Sequence, residues 1–596
     1  MILEKIENIE DLRKLSLNEL KLLASEIREK IVDVVGNNGG HLASNLGVVE
    51  LTIALLRVWD PFKDYIIWDV GHQCYPFKIL TGRKALFNTI RKRGGLSGFP
   101  NPNESLADRF IVGHSGTSLS WALGLVLSGK SDVVAIIGDG SLMSGMALEA
   151  LNHIGVLKRK LIIILNDNEM AIGPRVGAIA SHLARLRLRR GWLGFKKRVR
   201  SFVRNLPLGR GLEEFLEDLK GRFRKFLIKG SIFEELGLIH WGPIDGHDIE
   251  LMERVFRNAK EVDKPVVIHV LTKKGKGYSP AEKDPETFHG APAFKIVKKE
   301  EGESYSSIFG KVVLELASKD ERVVCLTAAM KKGTGLDEFA KRYPSRFIDV
   351  GIAEQHMLGL AAGLARGGLK PIVAIYSTFL QRAYDQLIHD IALQKLPVII
   401  AVDRGGIVGD DGPTHHGVFD LVFLRCIPNL IIGCPRDGVS LRDMFHMALN
   451  LDCPVVIRYP RGYTKVLPEW EKPPGSVEIG KSQVIRDGSE GVAFSLGPTH
   501  EFALGLTGFK VIDLAFAKPL DTKAIVENAL KFDKICVFEE GARIGGVGEE
   551  IGSLLISQGI FPKEFNIFAI PDRFIEHGER GELLGELFWV QKGKNR

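Results

Sequence analysis

The chain has 596 residues, of which 45% are hydrophobic and 26% charged, an ordinary globular composition with material for two to four domains and several large cores. No stretch offers about 18 uncharged apolar residues, and the amino terminus lacks a charged-then-apolar order, so neither a membrane span nor a signal peptide is expected and a cytoplasmic location is the default. Six cysteines, at positions 74, 325, 426, 434, 453 and 536, are too scattered for a disulfide framework or paired metal ligation and are expected to be reduced thiols.

In chain order, residues 12–35 have the apolar spacing of one or two amphipathic helices and lead into Gly39-Gly40-His41. Residues 132–137 and 160–165 are short apolar runs of the kind that form buried parallel strands, with helical spacing over 144–154 between them. The net charge of +7 is concentrated further on, where residues 185–229 hold 15 Lys/Arg against 4 Asp/Glu, a local excess of 11 that leaves the rest of the chain at −4. Clustered cations reward phosphate-rich partners, but the interleaved Leu193, Phe195, Val199, Phe202, Phe215 and Phe223 point to an amphipathic helical excursion with a solvated face, and neither a nucleic acid nor a membrane partner is expected. Residues 263–271 form another buried strand, and the charged stretch 295–307 reads as a linker. Beyond it, strand runs at 322–326, 371–375, 397–401 and 454–457 alternate with helical stretches such as 380–393, which implies a second parallel sheet with crossover helices. The Pro- and charge-rich residues 468–474 close this region, and a smaller α/β unit runs from about 475 to the end, giving an α/β chain of three parallel-sheet domains in series.

Two short motifs carry chemistry on their own. Gly138-Asp139-Gly140 follows the strand at 132–137, and Asn166-Asp167-Asn168 ends the strand at 160–165, so the two converge if those strands are neighbours. Mg2+ takes about six oxygen ligands and is bound with diphosphate through few protein groups. Asp139 and Asn168 supply such oxygens, a backbone carbonyl near Met170 a third, and the glycines let the backbone approach phosphate. The pair is similar to the thiamine diphosphate signature.

The order of motifs extends the resemblance over nearly the whole chain. Gly39-Gly40-His41, Trp68-Asp69-Val70-Gly71-His72-Gln73, Gly113-His114-Ser115, the two metal motifs, Gly351-Ile352-Ala353-Glu354-Gln355-His356, Tyr376-Ser377-Thr378-Phe379, Asp411-Gly412-Pro413-Thr414-His415 and Tyr459-Pro460-Arg461-Gly462 together resemble the 1-deoxy-D-xylulose-5-phosphate synthases of the transketolase superfamily. The resemblance implies three transketolase-type domains, 1–300 for the cofactor diphosphate with the basic insertion at about 180–230, 301–474 for its pyrimidine, and a carboxy-terminal domain over 475–596. It also implies thiamine diphosphate, Mg2+, a homodimer, and condensation of pyruvate with D-glyceraldehyde 3-phosphate to 1-deoxy-D-xylulose 5-phosphate and CO2, the first step of the non-mevalonate route to isoprenoids. A transketolase and a pyruvate dehydrogenase E1-like enzyme are the enzymatic rivals, separated by substrate pairing. A catalytically silent nucleic-acid-binding paralogue is opposed by Asp139, Asn168 and Glu354.

Roles follow residue by residue from the same resemblance. Glu354, at the start of an apolar helix, is the carboxylate that shares a proton with the cofactor's aminopyrimidine; alone, the position would read as dipole pairing or a capping box. His41 and His72 are expected at the reacting atoms, and His415 in the substrate pocket, whereas His356 reads as structural. Gly113, His114, Ser115, Gly140, Ser141, Asn168 and Tyr278 are implied cofactor contacts, as is His72. Arg404 and Arg461 each follow an apolar strand and suit one phosphate, because the guanidinium fork donates paired hydrogen bonds. Tyr376, Arg382, Asp411 and His415 complete the implied substrate set. The chain departs from the family at Gly116, where a serine is usual, and at Ser141, where alanine is usual; both exchanges are small for small.

Overall fold

Strands that are apolar on both faces are stable only when both faces are covered, and the central strands of the two main parallel sheets meet that requirement by alternation. The computed structural model describes residues 1–168, 178, 181, 231–295 and 301–588; the basic segment 185–229 and Met170 lie outside them. Two compact units divide the chain, Met1–Arg91 with Gly95–Val297, and Lys92–Gly94 with Lys298–Arg596.

In the first unit, β1 (Tyr65–Trp68), β2 (Val133–Gly138), β3 (Leu161–Asp167), β4 (Ile239–Asp245) and β5 (Pro265–Leu271) form a wholly parallel sheet in the order β1-β2-β3-β5-β4. Ile66, Val134, Ile136, Ile162, Ile164 and Ile268 face one core, shared with helices Leu17–Asn38 and Val49–Val58. Ile67, Val133, Ala135, Ile163 and Leu165 face the other, covered by helices Ser118–Leu127 and Gly145–Leu157. The helical stretch expected over 12–35 is two helices, Ile9–Lys14 and Leu17–Asn38, and Ser16 with Glu19 closes a capping box that starts the second.

The second unit holds a seven-stranded, a five-stranded and a two-stranded sheet. Its strands are β6 (Glu303–Ser304), β7 (Val323–Thr327), β8 (Phe347–Asp349), β9 (Lys370–Tyr376), β10 (Ile399–Asp403), β11 (Ile431–Gly433), β12 (Val455–Arg458), β13 (Tyr463–Thr464), β14 (Gln483–Arg486), β15 (Gly491–Ser495), β16 (Phe509–Asp513), β17 (Phe516–Lys518), β18 (Lys534–Ala542) and β19 (Glu564–Ile570). The order β17-β11-β12-β10-β9-β7-β8 is parallel except at β17, and β14-β16-β15-β18-β19 is parallel except at β14. The same alternation recurs: Val324, Leu326, Val373, Ile375, Ile400 and Val402 pack on one side, and Val323, Cys325, Ile372, Ala374, Ile399 and Ala401 on the other. Sequence order alone does not suggest that β17, from the region beyond 475, adds to the seven-stranded sheet beside β11. The helix expected over 380–393 is broken into a 3-10 turn, Gln381–Ala383, a short α piece, Tyr384–Gln386, and a π segment, Leu387–Ala392.

In both units the chemistry-bearing loops leave the carboxyl ends of parallel strands, the edge at which open α/β sheets bind ligands. Asp69, Asp139, Asn168, His247 and Lys274 follow β1, β2, β3, β4 and β5, while Glu354, Arg404 and Arg461 follow β8, β10 and β12, and Tyr376 ends β9.

Candidate active site

The first unit brings the two metal motifs side by side, because Gly138 and Asn166 are register partners in β2 and β3. Asp139 opens a helical turn, Asp139–Leu142, directly after β2, and is 1% exposed. The end of β3 is pinned from β5: Thr272 Oγ1 donates to Asn166 Oδ1 at 2.6 Å, and His269 Nε2 lies 2.7 Å from Asp167 Oδ2, both groups fully buried. Lys274 is also buried, and burial pulls its ammonium down to about 8 against the opposing charges of Asp139 and Glu286. Among the described residues no cluster of three or more His, Cys, Asp or Glu could hold a metal by itself. A hard cation at Asp139 and Asn168 would therefore be completed by amide, carbonyl and ligand oxygens, which is the donor set Mg2+ takes with a diphosphate.

The loop from Gly113 to Ser118 is gathered by Asp69, a residue the motifs alone leave without a role. Asp69 Oδ1 accepts from Gly116 N at 2.9 Å and Oδ2 from Ser118 N at 3.1 Å; burial pushes this carboxyl up, and the Gly116 N–H opposes that rise. Gly116 has φ +81°, and a Cβ there would stand 2.2 Å from Ser144 Oγ, so the glycine that departs from the family pattern suits this backbone. Thr117 Oγ1 and Ser144 Oγ are buried with no hydrogen-bond partner among the described residues. Buried hydroxyls of that kind need acceptors, and the oxygens of a diphosphate fit. Gly140 and Ser141 are buried in the turn after Asp139, and Gly113, His114 and Ser115 lead into this loop. Tyr278 packs with Phe288 and Phe294 at centroid distances of 5.9 and 6.3 Å.

His41 and His72 are drawn together by Asn45, whose Nδ2 donates to both backbone carbonyls, at 2.5 and 2.7 Å, and whose Oδ1 accepts from Tyr75 N. The two rings are 5.7 Å apart, and His289 stands 5.7 Å from His41 and 5.0 Å from His72, with Ser44 Oγ 3.3 Å from its Nδ1. Burial holds His72 well below the usual imidazole range, helped by the charges of His41 and Lys274, so it is neutral at pH 7. The sequence does not single out His289, because a lone histidine between Phe288 and Gly290 carries no signal until the fold closes it onto two others.

The second unit places Glu354 as the first residue of helix Glu354–Arg366, 4% exposed. Burial raises its carboxyl above the ordinary range, and the charge of Arg382 opposes that rise, so these two residues are neighbours. Arg404, at φ +60°, lays its guanidinium 3.8 Å from the centre of the Tyr376 ring. A Cβ on Gly333 would stand 1.7 Å from the Tyr376 hydroxyl, so that glycine makes room for the phenol. Arg461 pairs with Asp411 at 3.7 Å and Asp410 at 4.0 Å, and both Arg404 and Arg461 act on Tyr376 and on the buried Asp403. Burial lifts Asp403 to about 6, against Arg404 and a 2.7 Å hydrogen bond from Ser306 Oγ. Thr378 Oγ1 donates to Thr414 O at 3.0 Å, tying the segment after β9 to the loop that carries His415, whose Nδ1 lies 2.9 Å from Thr414 Oγ1. His356 is exposed.

Three family models match the chain: 1-deoxy-D-xylulose-5-phosphate synthase over residues 3–272, transketolase pyrimidine binding domain over 302–465, and transketolase C-terminal domain over 480–591. Among curated proteins, the chain is 47% identical to the 1-deoxy-D-xylulose-5-phosphate synthase of Natranaerobius thermophilus, over 98% of this chain and 96% of that one. It is 49% identical to the protein of the same name from Carboxydothermus hydrogenoformans, with 98% and 96% covered, and 48% identical to that of Dictyoglomus turgidum, with 100% and 98% covered.

Proposed function

The chain belongs to the 1-deoxy-D-xylulose-5-phosphate synthase family, and from that premise we propose how its residues divide the work of a thiamine diphosphate-dependent transferase that condenses pyruvate with D-glyceraldehyde 3-phosphate, releasing CO2. Thiamine diphosphate, when bound, supplies the electron sink that lets a keto acid lose CO2 and pass its remaining two-carbon fragment to an acceptor. Asp139, Asn168 and a backbone carbonyl near Met170 hold Mg2+, and Thr117, Ser144 and Lys274 face the diphosphate. Glu354 shares a proton with the aminopyrimidine ring, and burial raises the affinity of its carboxyl for that proton. His41, His72 and His289 serve the reacting carbonyl and hydroxyl groups, and Arg404 with Arg461 holds the acceptor's phosphate beside Tyr376. Arg382, Asp411 and His415 complete the substrate set. The domain divisions 1–300, 301–474 and 475–596, the homodimer and a cytoplasmic location belong to the same proposal; among the described residues no helix is long and apolar enough to cross a membrane.

The observation that carries this reading is Glu354: an acid buried at a helix start, with its proton affinity raised, is costly to keep unless the proton is used. Incubation with pyruvate, D-glyceraldehyde 3-phosphate, thiamine diphosphate and Mg2+, with mass analysis of the product, tests it. Release of CO2 with a five-carbon deoxyketose phosphate is expected. Two-carbon transfer between sugar phosphates without CO2 would instead indicate a transketolase.

A further inference from the structure

Lys274 is a buried ammonium whose charge acts on both Asp139 and His72, yet it is mounted on an irregular strap after β5, with no regular hydrogen-bond ladder to fix it. The residues on either side of it are held through their backbone N–H groups. Gly275 N donates to Ala43 O at 2.8 Å, and Lys273 N donates to His247 Nε2 at 3.0 Å. An imidazole nitrogen that accepts an N–H carries no proton, so the proton of His247 sits on Nδ1, which faces Glu50 Oε2 at 3.0 Å and donates to it. Glu50 is 7% exposed and is held on its other side by Arg28 at 2.5 Å and Lys276 at 3.5 Å. Burial alone would raise this carboxyl, but the hydrogen bonds from His247 and Arg28 hold it down to about 2, so it is a fixed anion at neutral pH. Arg28 in turn donates to Leu46 O, which anchors it to the helix Leu42–Gly47. The chain Arg28–Glu50–His247–Lys273 thus runs through two helices, the turn after β4 and the strap after β5.

We infer that His247 is a positioning residue for the diphosphate end of the site, holding the backbone that carries Lys274 by accepting the Lys273 N–H while Glu50 fixes its ring. The inference rests on the proposed role of Asp139, Asn168 and Lys274 toward Mg2+ and diphosphate. A lysine has four rotatable side-chain bonds and is strongly hydrated; with the strap released, Lys274 relaxes toward water and the diphosphate loses a preorganised cation. Outer partners of metal-site groups typically contribute about 10- to 100-fold in affinity.

The test measures the dissociation constant of thiamine diphosphate, in saturating Mg2+, by calorimetry on the full chain, with circular dichroism and thermal melting as fold controls. His247→Phe keeps the ring and removes both nitrogens, and should weaken binding about tenfold. Lys274→Ala should weaken it at least as much, and the double variant should be no weaker than Lys274→Ala within about twofold, because one residue acts through the other. A second pair guards against misfolding: His247→Gln places an amide oxygen where Nε2 sits and should keep affinity within about threefold, whereas His247→Asn reaches only the Nδ1 position and should behave like His247→Phe. Multiplicative losses in the double variant, equal losses for Gln and Asn, or unchanged affinity in His247→Phe or Lys274→Ala would each overturn the inference while wild-type binding stood. A wild-type chain that does not bind thiamine diphosphate with Mg2+ would overturn the functional reading and this inference with it.

Discussion

Replacing Glu354 by glutamine keeps the shape of a side chain that is 4% exposed while removing its titratable proton, so it separates the chemistry of the position from its packing. Burial raises the folded-state proton affinity of this carboxyl above its unfolded value. The sign then follows: above the folded pKa the ionised group destabilises the fold, by about 1.4 kcal/mol for every tenfold gain in proton affinity on folding, and that penalty fades as pH falls toward the unfolded value. Glu354→Gln should therefore match or exceed the wild type in stability at pH 7.5, with the difference shrinking as pH is lowered. Activity should move the other way. A positioned acid or base contributes about 10²- to 10⁴-fold, equivalent to roughly 3 to 5 kcal/mol of barrier, and the loss should fall on kcat while thiamine diphosphate still binds by calorimetry. Steady-state kinetics with mass detection of product, beside denaturant melts at two pH values, reads both. A variant keeping more than half of the wild-type rate would refute the assignment; a variant that lost activity and melted early would show that the carboxyl holds the helix start and not the cofactor.

Asp139→Ala should abolish Mg2+-dependent binding of thiamine diphosphate, and an unchanged affinity by calorimetry would remove Asp139 from the metal site. Arg404→Ala removes a charge-assisted anchor of about 1.5 to 3 kcal/mol, so KM for glyceraldehyde 3-phosphate should rise about tenfold to a hundredfold while KM for pyruvate and the use of unphosphorylated glyceraldehyde barely change. Arg461→Ala should give a smaller rise, because Asp410 and Asp411 already share its charge; equal losses on phosphorylated and unphosphorylated aldehydes would reduce both arginines to support of the fold. Asp403, lifted by burial from 3.8 to about 6, costs stability when ionised. Asp403→Asn should thus stabilise the fold at pH 7.5 by on the order of 3 kcal/mol at most, the gain vanishing between pH 6 and 4, and a gain independent of pH would contradict this origin.

Local pattern was enough for the parts of this protein that depend on near neighbours. Apolar runs of four to seven residues are too short for a buried helix and too continuous for an exposed strand, so the strands leading to Asp139, Asn168, Tyr376, Arg404 and Arg461 are legible, as is the helix that starts at Glu354. The motif order is distinctive enough to indicate the family without any tertiary contact. What the pattern withheld depends on how strand ends are brought together. The order β1-β2-β3-β5-β4 and the addition of β17 beside β11 are set by crossover packing, which no window of sequence contains. The segment 381–392 has helical periodicity but is built as a 3-10 turn, a short α piece and a π segment, a difference in hydrogen-bond pattern that apolar spacing does not record. His289 joins His41 and His72 only when residues far apart in the chain close onto one sheet edge, and Asp69, Asn45 and His247 acquire roles only through the backbone groups that folding places within hydrogen-bond reach. Periodicity records whether a side chain is buried; a hydrogen-bonded site records which distant chain segments are buried against it, and that information exists only in three dimensions.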